Sequence, residues 1–214
     1  MGDCHNLSIK QIGAPSDTRK PVSCSSSHTT ETVAVMDAPS ATQKGSLEAR
    51  AYAVGEACGD GFKKLVGGTS KTRAKTLYSL AWFGPTKAQR AKGAHWMRCD
   101  VTLTTEVHAY PIKGKTPLLD DGPTDAELVC GHADLDRGTF GSVPCAAKHQ
   151  FVPHRFVAAD PGTAFADAQK KAKKTCLPDG ALYSWSHAEQ WGMGDRWYIC
   201  WITVAEESRD EVAT

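Results

Sequence analysis

Hydrophobic and polar residues alternate, or recur at helical spacing, in a regular order along the first half of the chain. Residues 31–36 alternate and are β-branched, which predicts a strand. Residues 47–65 follow a candidate N-cap, Ser46, and are rich in Ala, Glu and Lys, which predicts a helix that ends at a glycine pair. Residues 96–103 alternate again and predict another strand, preceded by a short helical turn that opens at 85–86.

The same order returns in the second half. Residues 163–175 predict the matching helix, residues 186–187 open a matching short helical turn, and residues 196–204 predict a strand apolar enough to lie inside a sheet. A Cys-x3-His motif stands in each half, and a Gly-x-x-Trp-x-x-Cys motif follows each helix. The matching motif residues are Cys24 and His28 with Cys145 and His149, and Gly93 and Trp96 with Gly194, Arg196 and Trp197. We therefore interpret the chain as an internal duplication, and two copies favour two lobes over a solenoid.

This organisation predicts an α+β fold made of two related lobes. Each lobe is expected to have a small mixed or antiparallel sheet with one long helix, stapled by two disulfides. The first lobe is predicted at 1–107, a linker rich in Pro and Gly at 108–124, and the second lobe at 125–205. Residues 206–214 form an acidic tail that we expect to be frayed.

Composition narrows the class of protein without indicating an activity. Of the 214 residues, 41% are hydrophobic and 23% are charged, which is typical of a soluble globular protein and excludes collagen, coiled coils and general disorder. The sequence contains no run of 18 apolar residues, so it predicts no transmembrane helix. The net charge of +1 gives no general argument for binding nucleic acid or a membrane surface.

The cysteines indicate the compartment. They are even in number, dispersed and without a CxxC pair, which favours disulfides formed in an oxidising compartment over a zinc ribbon or a redox motif. The chain opens on polar sequence, so we expect an extracytoplasmic region of a longer precursor whose signal or anchor is removed. A cytosolic protein with eight free thiols is the alternative.

The positions of the cysteines favour the pairs Cys4–Cys24, Cys58–Cys99, Cys130–Cys145 and Cys176–Cys200. Four cysteines in each lobe nevertheless allow three pairings.

Charge and tryptophan are both concentrated locally. Residues 1–107 hold 14 Lys and Arg against 9 Asp and Glu. Some of the excess basic residues could form a binding surface for an anionic envelope polymer, an anionic lipid or an acidic protein. The interpretation that we favour is a helix face that is simply exposed to solvent. The basic residues of this surface are Lys63, Lys64, Arg73 and Lys75. Among six tryptophans, we expect Trp96 and Trp197 to pack on disulfides and Trp191, which lies beside Gly192 and Gly194, to be exposed for binding.

The Cys-x3-His motif allows three interpretations. With two further cysteines per lobe it could bind zinc, but the wide gaps between cysteines favour a disulfide with a structural histidine that hydrogen-bonds the backbone. A Cys–His nucleophile would need a free thiolate. His28 with Glu31 resembles an acid–base pair, but a turn must intervene to bring positions i and i+3 together, and Val152 replaces Glu31 in the second copy. We expect no metal, no cofactor and no catalytic residue.

Taken together, these motifs resemble one family. Asp3-Cys4, the segment from Cys24 through His28 to Glu31, and the late segment from Gly93 through Trp96 are similar to the actinobacterial septum-formation domain. The second copy departs from that pattern, since it has no Asp-Cys start and no glutamate after its histidine. The resemblance implies an extracytoplasmic part of a membrane-anchored or lipoprotein precursor in the actinobacterial cell envelope, with a link to cell division.

The functional expectation is a non-enzymatic interaction or scaffold domain. Its partner is expected to be another envelope or division protein or a cell-wall polymer, with no nucleic acid and with membrane contact only through a removed anchor. One alternative is a module that binds a cell-wall glycan or peptide through the tryptophan-rich surface or a groove between lobes. Another is a hydrolase that uses His28 and Glu31.

Overall fold

The computed structural model describes residues 2–113, 116–134, 139–160, 163, 165–176, 182–185 and 188–204. The strands within these residues are β1 (Cys4–His5), β2 (Thr30–Asp37), β3 (Tyr78–Phe83), β4 (Trp96–Thr104), β5 (Ala109–Tyr110), β6 (Val129–Asp134), β7 (Thr139–Pro144), β8 (Phe151–Ala158), β9 (Leu182–Trp185) and β10 (Trp197–Thr203). The helices are α1 (Ile9–Ile12), α2 (Leu47–Val66), α3 (Ser70–Arg73), α4 (Lys87–Ala91), α5 (Phe165–Cys176) and α6 (Ala188–Gly192), with a 3₁₀ turn at Ser40–Thr42.

The strands form two antiparallel sheets, which confirms the α+β class. One sheet has the order β1-β2-β4-β3, with β5 paired to β4, and the other has the order β7-β6-β8-β10-β9. The described pairings in both sheets are antiparallel, so the sheets are not mixed. Each sheet belongs to its own compact unit, called unit 1 and unit 2 below.

The units are not the contiguous lobes expected at 1–107 and 125–205. Unit 1 takes the chain up to Gly68, then Tyr78–Asp121, and finally Ala188–Gly194 from the second half. Much of the predicted linker therefore belongs to unit 1, where β5 extends the sheet.

Unit 2 is likewise discontinuous. It takes Thr69–Leu77 from the first half together with the described residues of 122–185 and 195–204. Backbone hydrogen bonds from Leu77 to Glu127 (2.8 Å) and from Val129 to Lys75 (2.9 Å) tie the early segment into this unit. The predicted tail at 206–214 lies outside the described residues.

Helix α2 is the central helix of unit 1 and begins and ends where its sequence predicts. The Ser46 side chain accepts a hydrogen bond from the Ala49 amide (3.2 Å), which satisfies one of the free amides of the first turn. At the other end Gly67 has φ of +74°, a conformation that favours glycine. Between them, Val54 and Phe62 are fully buried.

Helix α6 packs against α2 within unit 1. A β-carbon on Gly55 would overlap the backbone of Glu189, and one on Gly192 would overlap the carbonyl of Tyr52. The two backbones therefore approach closely, which only glycine allows at these positions. Gln190 is buried and donates its side-chain amide to the carbonyl of Tyr78 (3.1 Å), which fixes α6 against the end of β3.

Unit 2 contains an aromatic contact and a buried ion pair. Phe140 packs edge-on against Trp201, with 5.3 Å between the ring centroids. Arg73 donates through Nε and Nη2 to the carboxylate of Asp195 at 2.6 and 2.9 Å, and both side chains are buried. A bidentate pair of this kind satisfies both charges away from water.

All eight cysteines form disulfides, so none is free. The pairs are those favoured by the sequence, namely Cys4–Cys24, Cys58–Cys99, Cys130–Cys145 and Cys176–Cys200. The first two lie in unit 1 and the others in unit 2. This result excludes the eight-thiol alternative in this structure, and also the thiolate zinc site and the cysteine nucleophile.

Candidate functional site

A groove of about 540 Å³ opens on unit 1 beside the first Cys-x3-His motif. One wall is the turn of Cys24 to His28, whose three serines are exposed, and Glu31 lies next to it. The opposite wall comes from Pro111 to Lys113 together with Leu118. The lining therefore combines hydroxyl groups on the turn with apolar side chains on the other wall, together with one lysine and one carboxyl group.

Covalent and backbone bonds hold the two walls in place. The disulfide from the turn runs to Cys4, which is completely buried. The Ser26 amide donates to the carbonyl of Ser23 (2.9 Å) and closes the turn, while the Ile112 amide donates to the carbonyl of His28 (2.9 Å) and joins the walls. The groove is thus built on fixed backbone.

His28 is held in one orientation and one tautomer. Its side chain is buried, and Nδ1 lies 2.8 Å from the carbonyl oxygen of Ser26. Because a carbonyl oxygen can only accept, Nδ1 must carry the proton and donate it. In the neutral ring, Nε2 then presents a lone pair, and among the described residues Nε2 is buried without a hydrogen-bond partner.

Glu31 comes close to His28 because the chain bends at Thr29, just before β2. Thr29 Oγ1 accepts from the Leu7 amide and donates to the Leu7 carbonyl, both at 2.7 Å, which fixes the bend. A carboxylate oxygen of Glu31, a ring nitrogen of His28 and the Cys4 sulfur lie within 4.8 Å of one another. Burial raises the pKa of Glu31, and the nearby His28 opposes that shift. The turn predicted between positions i and i+3 is therefore present.

The second Cys-x3-His motif builds the same turn in unit 2. His149 Nδ1 lies 2.8 Å from the carbonyl oxygen of Ala147, as His28 Nδ1 does from Ser26. This confirms the prediction that each histidine hydrogen-bonds the backbone next to its disulfide. The Ser–His–Glu surface nevertheless belongs to unit 1 alone, because Ala146, Ala147 and Val152 occupy the matching positions.

The glycines of the late motif are structural. Gly93 follows α4 with φ of +87°, and Gly194 follows α6 with φ of +93°, so both turn the chain into the strand that comes next. Arg196 holds the start of β10, where its carbonyl accepts from the Ala159 amide (2.9 Å).

Comparison with known families gives a match over most of the chain. The model of a family described as septum formation matches residues 1–184. The chain belongs to the septum-formation family. No curated protein and no solved structure matches it.

Four disulfides suit a septum-formation domain that folds outside the cytoplasm, where thiols are oxidised. In the part of the chain that the structure describes, no helix has the length and hydrophobicity needed to cross a bilayer.

The tryptophans of this septum-formation domain are placed differently from the prediction. Trp191 was expected to be exposed but is 1% exposed, because the neighbouring glycine marks a close backbone contact of α6 rather than a surface turn. Trp96 packs against Leu7 and Phe83. Strand alternation directs it to the face opposite Cys99, so it does not pack on that disulfide. Trp197 likewise alternates away from Cys200 and donates Nε1 to Ser70 Oγ (2.8 Å).

The predicted basic surface is only partly a surface. Lys64 is exposed and Lys63 is half-buried on the last turn of α2. Arg73 is buried in its ion pair with Asp195 and is not available to a ligand, and Lys75 lies over the Phe156 ring in unit 2. Charge along the sequence could not reveal these partners, which lie far away in the chain.

Sequence reasoning missed the opposite wall of the groove, since Pro111 to Lys113 was interpreted as linker. The serine run before His28 was the available signal, because three consecutive hydroxyls next to a motif histidine form a polar surface.

Proposed function

We propose that this chain is a non-enzymatic, extracytoplasmic interaction domain that acts in septum formation through the groove of unit 1. Its partner is another envelope or division protein, or a cell-wall polymer. The domain belongs to a membrane-anchored or lipoprotein precursor in an actinobacterial envelope.

The observation that carries the proposal is the asymmetry between two otherwise equivalent turns. Both are closed by a disulfide and a histidine–carbonyl bond, so this framework is structural. The turn of unit 1 carries exposed serines and Glu31 where unit 2 has Ala146, Ala147 and Val152, and these polar residues line a groove of about 540 Å³. Polar groups added to a framework that is complete without them are best explained by recognition of a partner.

A binding role also fits the chemistry better than hydrolysis. His28 donates Nδ1 to the Ser26 carbonyl and has Nε2 buried, whereas a general base must reach the proton that it removes from a substrate. A nucleophilic cysteine is excluded, since every thiol is oxidised. The groove contains hydroxyl groups that suit hydrogen bonding to a peptide or polymer.

The test is a pair of matched substitutions in the full-length protein of the source organism. Ser25→Trp places a large side chain at the groove, where the native residue is exposed and lines the wall. Ala146→Trp places the same side chain on the equivalent exposed turn of unit 2. We expect Ser25→Trp to give abnormal or delayed septa by fluorescence microscopy and Ala146→Trp to give normal ones.

Both variants must first show the wild-type level of protein and four disulfides. Normal septa in a fully folded Ser25→Trp strain would contradict the proposal, as would equal defects in the two strains.

We further propose that the two units arose by duplication. Supporting this, the strand order β2-β4-β3 in one sheet matches β8-β10-β9 in the other. The long helix follows the first of these strands in both cases, and each is linked by a disulfide to the strand that carries the late motif.

A further inference from the structure

His28 has the local structure of a metal ligand. Metal-binding histidines almost always donate their second ring nitrogen to a carbonyl or carboxylate, which fixes the tautomer and directs the other lone pair at the ion. Here Nδ1 donates to the Ser26 carbonyl at 2.8 Å, and the side chain is 6% exposed. Nε2 is left buried with no partner among the described residues, although a buried acceptor is normally satisfied.

A second ligand of the right type stands beside it. A Glu31 carboxylate oxygen lies within 4.8 Å of a His28 ring nitrogen. Tetrahedral zinc with bonds of about 2.0–2.1 Å holds two such ligands about 3.3 Å apart, and the half-buried Glu31 side chain has freedom to adopt that spacing. Cys4 is also near, but its sulfur is bonded to Cys24 and is not the thiolate that zinc prefers.

We propose that His28 and Glu31 bind a zinc ion at the inner wall of the groove. Imidazole with carboxylate is a ligand pair suited to zinc, whereas Ca²⁺ and Mg²⁺ prefer oxygen ligands throughout. With two protein ligands, the remaining coordination positions are left for water or for donor atoms of a bound molecule. The proposal does not depend on the role in septum formation.

Unit 2 supplies an internal control. His149 makes the same bond to a carbonyl, but Val152 stands where unit 1 has Glu31, so the second turn lacks the carboxylate. If the histidine of this turn bound zinc without a carboxylate beside it, both units would bind zinc. If the pair is required, only unit 1 binds it.

The experiment titrates the untagged, oxidised 214-residue chain with zinc sulfate after removal of metals by EDTA, using calorimetry and elemental analysis. We expect one saturable site. His28→Ala should weaken it by about 100-fold or more, because even the loss of an outer-shell partner costs about 10–100-fold. Glu31→Gln should also weaken it, while His149→Ala should leave it unchanged.

X-ray absorption of the zinc complex provides a second readout that does not depend on substitutions. The proposal requires nitrogen and oxygen neighbours at about 2.0–2.1 Å and no thiolate sulfur at about 2.3 Å. Absence of saturable binding up to millimolar zinc would overturn it. It would equally be overturned by full binding in a folded His28→Ala variant or by a sulfur neighbour.

Discussion

Asp100 is completely buried in the sheet of unit 1, and its charge is neutralised by neighbouring side chains. Arg98 donates to both carboxylate oxygens through Nε and Nη2 (2.9 Å each), and Thr30 and Thr32 donate at 3.0 and 2.9 Å. A buried carboxylate without such donors would cost several kcal/mol. Alternation in residues 96–103 predicted the strand. It could not predict that a charged residue is buried there, because the threonine donors lie about 70 positions away in the chain.

Glu31 gives stability a dependence on pH. Burial raises its pKa in the folded chain, so on raising the pH the unfolded chain loses this proton first. The folded state is therefore penalised at neutral pH, and the penalty disappears below about pH 4, where both states are protonated. Replacement by a neutral isostere removes the penalty.

We accordingly expect Glu31→Gln to raise the free energy of unfolding at pH 7 and to have no such effect below about pH 4. Urea unfolding across this pH range, with EDTA present to exclude metal, measures the difference. Equal stabilities at pH 7, or a less stable variant there, would show that burial does not disfavour the charged carboxylate.

At the scale of elements, both the long helix and the position of the short one were predictable, but the packing of the short one was not. Helix α2 has a capping serine, twenty residues and a glycine that ends it, all visible in the sequence. Helix α6 has five residues, too few to show a periodic apolar face. The glycines that follow Trp191 indicated a surface turn, whereas Gly192 is required where α6 meets the backbone of Tyr52.

The close packing of α2 against α6 leads to a sharp stability prediction. Gly192→Ala should lower the free energy of unfolding by about 3 kcal/mol or more, because its β-carbon would overlap a backbone oxygen that cannot easily move. Gly13→Ala is the control. Its φ is −77° and the nearest atom is 3.7 Å away, so the expected change is within about 0.5 kcal/mol.

Urea unfolding of the oxidised variants measures both values. A Gly192→Ala protein as stable as the Gly13→Ala protein would mean that the two helices do not approach as closely as described.

At the scale of the whole molecule, the disulfide pairs could be predicted and the division into units could not. The pairs follow from motif positions that recur along the chain, and each closes a loop of 15 to 41 residues. The unit boundaries depend on where short segments pack. Thr69–Leu77 belongs to unit 2 and Ala188–Gly194 belongs to unit 1. The composition of neither segment indicates which unit it packs with. Hydrophobic patterns predict which face is buried, but not against which sheet.

Four disulfides favour an oxidised form of this septum-formation domain outside the cytoplasm. The most direct test is mass spectrometry of the chain isolated from the cells that produce it, alkylated before any reduction and then mapped by proteolysis. The account predicts a mass that lacks all eight thiol hydrogens, no alkylation, and peptides joined as Cys4–Cys24, Cys58–Cys99, Cys130–Cys145 and Cys176–Cys200. Free, alkylated cysteines in the native protein would contradict it.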